Sequence, residues 1–211
     1  MSKIMKGKIF NAQEVQALIA GNKTQFREVI KPYPVLSDDK SYWQFEGVRW
    51  AGEKSSYAKN FGDNARPEIP DLCPYQVGQK IFVKEVFSHS NQRWCDKTIF
   101  YKASHGNRIQ NTFSVANRED KWRSPATMHE EHSRLTLLIK EIRVQRLADI
   151  SEEDAIAEGF KNGFHEVENV GDFPFNAYDS FAKNWNASHK KPVEKFEANP
   201  WVWVVSCEVV K

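Results

Sequence analysis

The sequence predicts an α+β fold that is mainly β: a small mixed barrel of about six strands flanked by three short helices. Three observations predict it. Short apolar segments of strand character outnumber those of helical period, and they lie near both ends of the chain. Strands and helices do not alternate regularly, which disfavours a doubly wound parallel sheet. The last apolar segment, Trp201-Val202-Trp203-Val204-Val205, is apolar on both faces, and a strand covered on both sides belongs inside a sheet.

In chain order, Lys8-Ile9-Phe10 reads as a short strand. A helix follows. Asn11 is a good N-cap, Glu14 can complete a capping box, and Val15, Leu18 and Ile19 form one apolar stripe. Gly21 stands where a helix end wants a left-handed residue. The chain then turns and runs as a strand to Ile30, stopped by Lys31-Pro32. Residues 33–76 are rich in proline but carry Tyr42, Trp43, Phe45 and Trp50. A structureless loop of that length is uncommon in a compact domain, so the segment reads as an insertion laid on the barrel. Cys73 to Lys80 is a turn leading into a strand from Ile81 to Phe87, and another strand lies near Ile99 to Lys102. A second, polar insertion covers about 104–130.

Arg134 to Leu147 reads as one long strand whose apolar parity changes. Leu135, Leu137 and Ile139 share a face, whereas Ile142 and Val144 take the opposite parity, so a bulge or bend belongs at about Lys140-Glu141. Ser151 caps a second helix that Gly159 closes. A third runs from Phe175 to Trp185, with Tyr178, Phe181 and Trp185 at helical spacing, and Pro200 to Val210 is the final strand.

The 211 residues suit a single domain with those two insertions. Apolar residues make up 40% and charged residues 27%, an ordinary globular composition. No apolar run is long enough to span a membrane and the N-terminus lacks the core of a secretory signal, so a cytoplasmic protein is expected. Net charge is only +2, which argues against a general polyanion coat. Residues 1–32 nevertheless hold six Lys or Arg against two Glu. Cys73, Cys95 and Cys207 are odd in number and far apart, which favours reduced thiols over a disulfide framework.

The chemistry-bearing stretch is Gly21-Asn22-Lys23-Thr24-Gln25-Phe26-Arg27. In extended chain Lys23, Gln25 and Arg27 face one way, and Thr24 and Phe26 the other. Adjacent Lys and Arg can hold a phosphate, and a lysine withdrawn from water can act as a base. Charge runs usually face water, so residue types alone favour a solvated basic turn. Glu152, Glu153 and Asp154 have a sufficient purpose at a helix start. Glu158 does not: it sits at the helix end, where the dipole disfavours an anion. It wants a cation, and Lys23 or Arg27 would suit. Met128-His129-Glu130-Glu131-His132 has the wrong histidine spacing for a zinc helix and reads as a polar surface loop, so no metal or cofactor is expected. Among seven Trp, Trp185, Trp201 and Trp203 read as core; Trp122-Arg123 is the most tempting pair for stacking on a base.

Several of these pieces together resemble the ASCH superfamily, in particular its phage- and prophage-encoded members. They are Lys8 to Asn11, Ala20-Gly21-Asn22-Lys23-Thr24-Gln25, Cys73-Pro74-Tyr75 with Gly78, Val83-Lys84-Glu85, Asp149 to Gly159 and Asn199 to Val204. The resemblance implies a PUA-like β-barrel with a cleft beside the first helix that takes RNA or a nucleoside or nucleotide. One bacterial member is an N4-acetylcytidine amidohydrolase using a Lys, a Thr and a Glu. Its Lys corresponds to Lys23 and its Glu to Glu158, whereas its Thr position holds Phe26 here, with Thr24 nearby.

Three functions are therefore expected to compete. The first is binding of RNA or a nucleoside through Lys23, Thr24, Phe26, Arg27 and Glu158. The second is hydrolysis of an acylated cytidine-type nucleoside, with Lys23, Glu158 and Thr24 as the catalytic set. The third is a phage accessory protein that binds a host protein, with the barrel as scaffold.

Overall fold

The structure, a computed structural model, describes residues 5–31, 34–36, 43–45, 73–89, 99–106, 122–167 and 171–210. Trp50, Trp94, Cys95 and most of both insertions lie outside the described residues. The elements in chain order are β1 (Lys6–Ile9), α1 (Ala12–Ile19), β2 (Gln25–Val29), β3 (Pro34–Leu36), β4 (Trp43–Phe45), β5 (Lys80–Lys84), β6 (Phe87–His89) and β7 (Ile99–Tyr101). They continue with α2 (Lys102–His105), β8 (Thr136–Arg146), α3 (Glu152–Ala157), β9 (Gly163–Val167), β10 (Gly171–Phe175), α4 (Ala177–Ser188) and β11 (Trp201–Val209). The class is α+β, with more and shorter strands than the sequence suggested. In hydrogen-bond order the main strands read β1-β5-β8-β11-β2. No described helix is long and apolar enough to cross a membrane.

The chain divides into two compact units, one of residues 1–23, 78–139 and 208–211, the other of residues 24–77 and 140–207. In the first unit β1 pairs parallel with β5, and β5 pairs antiparallel with the start of β8. Gly7, Phe82 and Thr136 fall opposite one another across these three strands. A Cβ on residue 7 would come within 2.5 Å of the Phe82 ring and of Lys84 Cε, so any other residue there would displace those side chains. The capping box forms: Asn11 Oδ1 accepts from Glu14 N at 3.0 Å, and Glu14 Oε2 accepts from Asn11 N at 2.9 Å. Val15 and Leu18 are buried while Ile19 stays half exposed, so the apolar stripe is narrower than its spacing suggested. The strand expected from Ile81 to Phe87 is two strands. Pairing stops at Lys84, next to Glu85, whose carboxylate is buried against Arg134.

In the second unit β2 runs antiparallel to β11, with Gln25 opposite Ser206, Arg27 opposite Val204 and Val29 opposite Val202. Val29, Val202 and Val204 pack with Leu147, Ile150, Ala155, Phe181 and Trp185 into one apolar core. The parity change in β8 is present: Lys140 and Glu141 are both exposed, between buried Ile139 and Ile142. Ser151 caps α3, and the carboxylate of Glu152 accepts from Ala177 N at 2.8 Å and Tyr178 N at 3.1 Å, tying α3 to the start of α4. That helix begins at Ala177 rather than Phe175, because Asn176 is its cap and Phe175 ends β10. Trp203 is buried, as is Trp185, whose indole N–H donates to the Glu194 carbonyl at 2.7 Å.

Candidate functional site

β2 is buried on both faces, which corrects the expectation of a solvated basic turn. Gln25 is 4% exposed, Arg27 7% and Lys23 3%, while Thr24 is exposed. Side chains directly opposite in an antiparallel pair share a face. The face of β2 that begins in the apolar core at Val29 and Val202 thus continues through Arg27 and Val204 to Gln25 and Ser206. A polar row lies where a core row would be expected.

A charged network holds Arg27 there. Its NH1 donates to Glu158 Oε1 at 2.9 Å and its NH2 to Asp154 Oδ2 at 2.7 Å, with a long contact to Gln145 Oε1 at 3.5 Å. Arg143 donates to both oxygens of Asp154, at 2.9 and 2.7 Å. The guanidinium carbon of Arg27 also lies 5.7 Å from the centre of the Phe181 ring. Burial opposes ionisation of Asp154, but the Arg143 hydrogen bond and the charges of Arg27 and Arg143 outweigh it, so its carboxyl is held below the usual range. The cation that Glu158 wanted is Arg27, one of the two expected from sequence.

Two N–H groups on this face are enclosed and have no hydrogen-bond partner among the described residues: Gln25 Nε2 and Arg27 Nε. A buried donor without an acceptor costs about 1–3 kcal/mol. Such groups call for an acceptor from an ordered water or from a ligand.

The other expected residues have their own places. Thr24 is held by its backbone, its N–H donating to the Ala157 carbonyl at 2.8 Å and its carbonyl accepting from Cys207 N at 2.8 Å. Phe26 is 2% exposed and meets Tyr75 edge-on at 5.3 Å between ring centres, so it packs in the interior. The Tyr75 hydroxyl donates to Glu28 at 2.7 Å; burial, then the charge of Glu28, pushes its phenol above the ordinary value. Lys23, in the first unit, lies 3.5 Å from Glu14 Oε1.

Trp122 is partly buried, its indole N–H enclosed with no partner among the described residues, while the backbone N–H of Arg123 donates to the Phe87 carbonyl at 2.7 Å. The 128–132 segment is less of a surface loop than expected. Met128 is buried and His132 packs edge-to-face on His89 at 4.6 Å. No group of three His, Cys, Asp or Glu able to hold a metal occurs among the described residues. Cys73 is partly buried and Cys207 is buried. The first unit also carries a groove of about 1090 Å³ lined by Lys80, Lys84, Glu130 and Glu131 among others. Its charges are mixed, and Lys84 already donates to the Ala126 carbonyl at 3.1 Å.

Sequence reasoning missed Arg143, Gln145 and the second use of Asp154. One signal was available: Asp154 and Glu158 are four apart, which sets both carboxylates on one side of a helix, facing a common cation. No protein-family model, curated protein or solved structure matches the chain.

Proposed function

We propose that the chain is an ASCH-type, PUA-like protein of the cytoplasm that binds RNA or a nucleoside, with the polar face of β2 as its ligand-contacting surface. The observation that carries this reading is the interior polar row, Gln25 and Arg27, with two enclosed N–H groups that lack acceptors. Arg27 and Glu158 are its central contacts. Lys23 and Thr24 join through the family resemblance, as does closure of the strands into a barrel. The test is binding of a labelled, short, mixed-sequence RNA and of free nucleosides at low salt. Micromolar binding is expected, lost in Arg27→Met while the variant stays folded by circular dichroism. A folded protein that binds neither would overturn the reading.

The burial of Lys23 favours a second reading, hydrolysis of an N4-acylated cytidine. In this reading Lys23 takes a proton from water, the resulting hydroxide attacks the acyl carbonyl, and the amide nitrogen leaves with a proton delivered through Glu158. Thr24 supplies the hydroxyl that the family carries at the position of Phe26. Incubation with N4-acetylcytidine tests it: release of acetate, abolished by both Lys23→Ala and Glu158→Gln, is the expected result, and absence of turnover in folded wild type excludes it.

A further inference from the structure

We infer that Gln25 reads the acceptor edge of a neutral nucleobase, so that the ligand meets the polar face of β2 through its heterocycle and not through a phosphate. The inference rests on the nucleoside- or RNA-binding reading and narrows it to one part of the ligand.

Three observations carry it. The first is the pair of enclosed donors. Gln25 and Arg27 are two residues apart on one strand face, and Gln25 Nε2 and Arg27 Nε both lack acceptors among the described residues. A partner that completes this face must therefore bring acceptors. The second is charge. Within the network Arg27 and Arg143 are matched by Asp154 and Glu158, two cations against two anions, all joined by contacts of 2.7–2.9 Å. That set is already neutral. A phosphate set against it would bring an anion up to the buried carboxylate of Glu158 and the partly buried one of Asp154, and such burial is costly. A carbonyl oxygen or ring nitrogen satisfies the same N–H groups without adding charge. The third is the carboxamide itself. It offers a donor and an acceptor side by side in one plane, the pattern that complements the hydrogen-bonding edge of a base. Arg27, pinned through both NH groups, leaves its Nε as a fixed donor rather than a mobile phosphate clamp.

The experiment is calorimetric titration of the full chain with the four common ribonucleosides, their monophosphates and inorganic phosphate, beside labelled RNA. Gln25→Met is the variant, because it keeps the length of the side chain and removes only its polar atoms. At least one nucleoside is expected to bind, its monophosphate to bind within about threefold of it, and inorganic phosphate not to compete. Gln25→Met should weaken that nucleoside about tenfold, the loss of one hydrogen bond to an enclosed donor, without lowering the melting temperature. Competition by inorganic phosphate, or binding that requires the monophosphate, overturns the inference in favour of an anion site. Wild-type nucleoside affinity in a folded Gln25→Met overturns it too, while retained RNA binding leaves the broader reading standing. Absence of both nucleoside and RNA binding defeats the two together.

Discussion

Arg134 in the first unit and Arg27 in the second are both arginines held by a buried carboxylate, yet their guanidinium groups are used differently. Arg134 forks onto Glu85, Nε to Oε1 and NH2 to Oε2, both at 2.8 Å, and its NH1 donates to Ser104 at 2.6 Å. Its guanidinium carbon lies 4.2 Å from the centre of the Tyr101 ring, over its face. Every nitrogen is used, and the result is a bidentate, stacked pair of the kind arginine forms where geometry must be fixed. Arg27 divides its two NH groups between two carboxylates and keeps Nε enclosed without an acceptor among the described residues. A completed pair explains itself by what it holds in place. An incomplete one leaves a donor for water or a ligand to satisfy, and that difference directs attention to β2.

The largest expected effect that would break this comparison comes from Arg27→Ala. Removing a fully enclosed guanidinium strands Glu158 and Asp154, and should cost about 3–5 kcal/mol in denaturant unfolding as well as ligand binding. Glu85→Ala should cost about 3 kcal/mol, at the low end because the Arg134 side chain is 24% exposed and can rehydrate. In that variant the folded fraction should bind ligand as wild type does. Loss of binding there would show that the closed pair, too, serves the site.

Gln25→Leu sharpens the contrast by moving stability and function in opposite directions. Deleting a buried amide whose donor lacks an acceptor should raise stability by about 1 kcal/mol while weakening the ligand. A drop in stability would mean that the amide has an internal role. Asn11→Ala, remote from either arginine in its effect, should cost about 1 kcal/mol through the lost cap and leave binding unchanged. The smallest effect concerns acid. The carboxyl of Asp154 is held low in the folded state, so its contribution is present above the ordinary carboxylate pKa and is lost as pH falls through the depressed value. Stability curves of wild type and Asp154→Asn should therefore converge only below about pH 4. Curves that run parallel across that range would show that Asp154 is not ion-paired in solution.

Local signals were legible where the physics is local. The Asn11–Glu14 capping box, Ser151 at the start of α3 and the parity change at Lys140-Glu141 each depend on residues a few positions apart, and each is present. The buried Trp203 was legible because an all-apolar strand has nowhere to go but a sheet interior. The break after Lys84 was not, because Glu85 leaves the ladder to meet Arg134, 49 positions away. Nor was the burial of β2, since Lys23-Thr24-Gln25-Phe26-Arg27 is polar enough that water is its default partner.

By itself, then, the sequence determined the α+β class, the main helix starts, the interior place of the last strand and the need of Glu158 for a cation. These follow from period, caps and charge within short windows. Only the tertiary structure decided that the cation is Arg27, that Asp154 and Arg143 complete the network, and that the polar row of β2 lies inside. Those outcomes depend on partners 131 and 127 positions away, brought together by the packing of α3 and the pairing of β11. Residue type sets what a buried polar group requires, and the folded chain alone decides which groups are withdrawn from water and which of them find a partner.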